Sequence, residues 1–160
     1  MSKEHLSTYL NDHLAGATVA IEILDHLEKE ATDLAPVLSN TKAEIQEDRM
    51  QLVQLMKQLG ISESRLRKAG RWFSEQVAEA KFEVDDQEGG PLQRLERLEM
   101  LVLGIEGKLA LWRALEAASA TNPQFSSLDY PRLTQRAMEQ RDRMDLLRIQ
   151  TAQSALSLAA

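Results

Sequence analysis

The chain has 160 residues, 43% of them hydrophobic and 28% charged, with a net charge of −6 and no cysteine. That is enough for one folded domain with a single core, and too apolar for a disordered chain. The charge argues against nucleic acid or an anionic membrane as a partner, and the missing thiols exclude disulfides, a cysteine nucleophile and a cysteine-based zinc site.

Apolar residues recur at helical spacing, and no segment alternates as a strand does, so the expected class is all-α. The first helix is expected over about 3–30, with the stripe Leu6, Leu10, His13, Leu14, Ala17, Ile21, Leu24. No apolar leader follows the N-terminal residues, and the expected location is the cytoplasm. The second helix is expected over about 33–59, with Thr32 or Asp33 as its cap, Pro36 in its first turn and Gly60 at its end. Its stripe is Leu38, Ile45, Leu52, Leu55, Met56, Leu59.

A third helix is expected over about 62–83, starting at the N-cap Ser62. It carries Arg65, Arg67, Lys68, Arg71 and Trp72, which we read as a solvated face. The run Asp85 to Gly90 breaks the chain, and Pro91 opens a fourth helix to about Ala118. That helix is apolar on nearly every side. Such a helix is central, or touches a second subunit as well as its own bundle. Gly104 and Gly107 are expected to be close packing points within it. Pro131 opens the last helix, to about Leu156.

The chain echoes itself. Asp48-Arg49-Met50-Gln51-Leu52-Val53 resembles Asp142-Arg143-Met144-Asp145-Leu146-Leu147, and Leu10-x3-Leu14-x-Gly16 resembles Leu98-x3-Val102-x-Gly104. The offsets are 94 and 88 residues, in matching order. Two related hairpins, 3–59 and 91–157, with 62–83 as a helical crossover, would make one bundle domain over 1–160.

Two hairpins joined by a long crossover resemble the ferritin-like superfamily. The stretches Tyr9-Leu10-Asn11-Asp12-His13-Leu14-Ala15-Gly16, Glu44-Ile45-Gln46-Glu47-Asp48-Arg49 and Leu103 to Leu115 are similar to a group of uncharacterised bacterial proteins assigned to that fold. The resemblance implies an up-down four-helix bundle. Di-metal members of the superfamily use Glu-x-x-His pairs. None of His5, His13 and His26 has a Glu three residues before it, so the resemblance implies a fold without the standard di-iron centre.

Helical phase selects the candidate site residues. Asp48 shares a face with Ile45, Leu52 and Leu55, and a buried carboxylate needs a partner. Asp142 is its counterpart in the echo, on the face of Leu146 and Ile149. Glu139 lies three residues before it, and Glu106 lies seven after Glu99. Asp48, Glu106, Glu139 and Asp142 could line a carboxylate metal site, with His13, Glu44 and Glu99 as further candidates. The first expectation is no cofactor; at such a site hard oxygen donors would suit Mn, Fe, Mg or Ca more than Zn. The alternative is that the two aspartates are buried ties that fix helix register. Glu22 and His26 form an i, i+4 pair but point away from the apolar stripe.

The function expected first is a binding or protein-interaction module, with enzyme activity left open. It would form a homodimer through the fourth helix or the outer side of the first, where Val19 and Ile23 add apolar surface. A carboxylate-rich metal-binding protein or metalloenzyme, acting as an oxidoreductase or in metal storage, is the alternative.

Overall fold

A computed structural model describes residues 2–63 and 90–157. The described residues form four α-helices and one 3-10 turn: α1 (Lys3–Glu30), α2 (Ala35–Gln58), α3 (Pro91–Ser119), the turn Pro123–Phe125, and α4 (Tyr130–Ala155). The expected crossover helix at 62–83 and its basic cluster lie almost wholly outside them.

Local chemistry explains the ends. Ser2 caps α1 by accepting the His5 N–H at 3.3 Å. Asp129 caps α4 by accepting the Arg132 N–H at 3.1 Å. Gly60 stops α2 at φ +63°, the left-handed conformation that glycine adopts without strain. Around it the Ile61 N–H donates to the Met56 carbonyl at 2.8 Å, and the Gly60 N–H to the Lys57 carbonyl at 3.1 Å. That is a Schellman closure, and Ile61 completes it by packing into the core. The start of α2 differs from expectation. Thr32 and Asp33 lie in a turn, and Leu34 takes the cap position without a side-chain hydrogen bond.

Ion pairs and hydrogen bonds give the helix directions. Glu30, at the end of α1, binds Arg97 near the start of α3, so α1 and α3 run antiparallel. Lys42 of α2 binds Asp25 and Glu28 of α1. Ser127 donates to Gln58, and Arg143 binds Glu44, so α4 runs antiparallel to α2. Asn11 donates to the Ser62 carbonyl, which places residue 62 beside the first half of α1. Gly90, by contrast, sits beside the far end of α1, where Arg94 reaches the Glu30 carbonyl. The ends that flank residues 64–89 are therefore at opposite ends of the bundle, and a helix as long as α1 spans about 40 Å.

The core is two apolar clusters stacked along the bundle axis. One gathers Leu10, Leu14, Leu52, Leu55, Leu109, Trp112, Leu115 and Leu133. The other gathers Leu24, Leu27, Leu38, Ile45, Leu98, Leu101, Ile105 and Met144. A shift of 92 positions carries Leu38, Thr41, Ile45, Asp48, Leu52 and Leu55 onto Tyr130, Leu133, Ala137, Gln140, Met144 and Leu147, buried residue onto buried residue. This burial register differs from the 94-residue echo. Two residues are about 200° of helix, so the echo turns Asp142 outward.

One expectation about α3 needs correction. Its inner face is buried, and on the opposite side Leu103 is 70% exposed in the single chain. Gly104 and Gly107 are not packing points within the single chain, because a Cβ on either would meet nothing within 4 Å among the described residues. Gly104→Ala is therefore expected to stabilise the protein by about 0.5–1 kcal/mol in denaturant titration, since it removes unfolded-state freedom without a clash.

Candidate functional site

Between the two apolar clusters lies a charged layer. On α2, Asp48 separates Ile45 from Leu52 and is 1% exposed. On α3, Lys108 separates Ile105 from Leu109. On α4, Gln140 separates Ala137 from Met144 and is fully buried. On α1 the stretch between Leu14 and Ala20 holds Ala15, Gly16 and Ala17, whose small side chains take up little of the interior there.

The layer is joined by charge-assisted hydrogen bonds centred on the Asp48 carboxylate. Lys108 Nζ donates to Asp48 Oδ2 at 2.5 Å and also to Gln140 Oε1. Arg136 donates to Asp48 Oδ1. Gln140 Nε2 donates to Asp48 Oδ2 at 3.3 Å. Arg136 extends the set to the half-exposed Glu47 at 2.7 Å, and Arg143 binds Glu44 beside it. Three carboxylates thus meet three cations, and the α2–α4 seam is bridged by long polar side chains. Such pairs offset their desolvation only where every donor and acceptor is used, as at the Asp48 carboxylate.

Burial sets the titration of the layer. Removal from water pulls the Lys108 ammonium below its ordinary 10.5, and the adjoining Asp48 opposes this. Burial also works against the Arg136 charge, but Asp48 and then Glu47 hold it above its usual range. A lysine depressed in the folded state binds fewer protons there than in the unfolded chain. Its penalty is complete below the folded value and is relieved as pH rises towards 10.5. Unfolding free energy should therefore gain a rising component on the alkaline side, and Lys108→Met should flatten it. An identical slope in both proteins would refute that.

The residues expected to hold a metal do not come together. Asp48 has its carboxylate occupied by Lys108, Arg136 and Gln140. Asp142 is an exposed residue that shares Arg141 with Glu106, at 2.7 and 2.9 Å. Its expected neighbours Leu146 and Ile149 are exposed as well, at 59% and 46%. Glu139 accepts from Gln135 at the surface. Glu99 approaches Arg148 at 3.7 Å, and Glu44 is held by Arg143 and Asn40. His13 stands edge-on to Tyr9 with ring centroids 4.8 Å apart, and burial lowers its pKa against the pull of Asp12. His26 is exposed and hydrogen-bonds the Glu22 carbonyl, not its carboxylate. Among the described residues, no three His, Asp or Glu side chains form a group able to hold a metal ion.

Lys108, Arg136 and Gln140 were not among the candidate residues. For Lys108 a signal existed: a lone cation between Ile105 and Leu109 in an apolar helix needs a counter-charge. Gln140 also falls in phase with Leu133, Ala137, Met144 and Leu147. Among the described residues no helix is long and apolar enough to cross a membrane. No protein-family model, curated protein or solved structure matches the chain.

Proposed function

We propose that the chain is a ferritin-like bundle that acts as a protein-interaction module and docks its partner on the outer face of α3. The ferritin-like reading is supported by the antiparallel α1–α2 and α3–α4 hairpins. It is also supported by the placement of residues 62 and 90 at opposite ends of the bundle.

One observation carries the functional reading. Having buried its inner face, α3 keeps a second apolar stripe outside: Met100, Leu103, Gly107, Ala110 and Ala114, at alternating spacings of three and four. Leu103, the second residue of the stripe, is 70% exposed, the highest of any large hydrophobic residue described. In the charged layer of the core, the Asp48 carboxylate is already taken by Lys108, Arg136 and Gln140.

A photo-crosslinking amino acid in place of Leu103, expressed in the native host, tests this. Protein adducts should form from position 103 and not from the exposed α2 position Gln46. Equal yields from both positions would overturn the proposal.

A further inference from the structure

We infer that the partner on this face is a second copy of the same chain, with the two α3 helices packed antiparallel about a twofold axis near residue 105. This rests on the reading of the α3 outer face as the docking surface, and it adds the identity and the register of the partner.

A twofold interface requires a patch that complements itself. The stripe does so in only one direction. Its N-terminal half carries the large side chains Met100 and Leu103, and its C-terminal half carries Gly107 and Ala110. In antiparallel register, Leu103 of one copy lies over Gly107 of the other, and Met100 lies over Ala110. Each knob then meets a position with little or no side chain. Among the described residues nothing occupies the space that a Cβ at Gly107 would take. A parallel pair would set Leu103 against Leu103 and leave the Gly107–Ala114 half facing itself across a gap.

Charge favours the same register. Glu99 and Arg113 flank the stripe on one side, fourteen residues apart. Antiparallel pairing brings each Glu99 to the other copy's Arg113, on both sides of the axis. Arg113 is exposed and has no ion pair among the described residues, and Glu99 has only the loose 3.7 Å approach of Arg148. Glu106 falls at the axis opposite its own copy, and each Glu106 already carries Arg141 at 2.9 Å. A parallel pair would place Glu99 against Glu99. A stripe of this length buries roughly 1,000 Å² in total, the lower end of specific interfaces, so the dimer should be weak and dependent on concentration.

The full chain, at rising concentration in sedimentation velocity, tests the inference. A monomer–dimer transition is expected, with circular dichroism confirming that every variant folds. Leu103→Arg should weaken dimerisation at least tenfold. Arg113→Glu should weaken it several-fold to tenfold, and adding Glu99→Arg to that variant should restore it. The absence of native cysteine permits a direct register test. Leu103→Cys mixed with Gly107→Cys should form the mixed disulfide ahead of either homodisulfide.

A monomer at all concentrations, with position 103 crosslinking to some other protein in cells, would overturn the inference and leave the docking face standing. A monomer without such adducts would overturn both. A dimer without charge-swap rescue, or without preference for the mixed disulfide, would overturn the register.

Discussion

Replacing Asp48 with alanine is expected to destabilise the protein by about 3–5 kcal/mol, the range for breaking one side of a buried ion pair. Asp48 is 1% exposed and accepts from Lys108, Arg136 and Gln140. Without it, Arg136 retains the half-exposed Glu47, but Lys108 is left with Gln140 alone. A stranded ammonium escapes its penalty by losing its proton. The loss measured by guanidinium titration should therefore be smaller near pH 10 than near pH 7. Joint replacement of Asp48, Lys108, Arg136 and Gln140 by leucine or methionine should leave the protein at least as stable as before. A single-alanine loss under about 1 kcal/mol would show that the layer is better hydrated than its burial implies.

The second large effect lies at Trp112. It is 1% exposed, and belongs to the cluster that holds Leu14, Leu52 and Phe125. Trp112→Ala removes the largest fully buried side chain and leaves a cavity that four packed helices close only in part. The expected loss is about 3–5 kcal/mol, and a melting temperature lower by roughly 10–15 °C. Among the described residues the indole N–H has no hydrogen-bond partner. Trp112→Phe therefore forfeits volume only, and should cost under about 2 kcal/mol. If the two variants melted alike, hydrogen bonding and not packing would be the dominant role of Trp112.

The helix ends were legible because their chemistry is local. Gly60, Pro91 and Pro131 mark their boundaries whatever surrounds them, since each acts through its own backbone. The burial of Asp48 was legible from its phase with Ile45 and Leu52. Its partners were not, for two physical reasons. In α4 two apolar stripes compete, Leu133–Ala137–Met144–Leu147 and Leu146–Ile149, and the sequence echo favoured the wrong one. Which of them is buried depends on packing against α3, which no window of α4 contains. The axial level at which Lys108 meets Asp48 depends on how far the α3–α4 hairpin slides along the α1–α2 hairpin. Lys108 and Asp48 are 60 positions apart in the chain, and no local window carries a sign of that slide. The carboxylates also misled as a group. Seen without their cations, Glu44, Glu106 and Asp142 suggest a metal site, whereas each is bound to an arginine in the fold.

The charged layer also constrains how this sequence can change with time. An all-apolar centre would serve the fold equally well, but it is several substitutions away. A first step at Asp48 strands Lys108 between the two apolar clusters, and a first step at Lys108 or Arg136 takes from Asp48 one of its two cations. The residues Asp48, Lys108 and Arg136 are therefore held in place by the depth of the valley around them, independently of any present use. A lineage carrying this layer would be expected to exchange its members in pairs or to keep them all, while the exposed neighbours Asp142, Glu139 and Met50 drift freely.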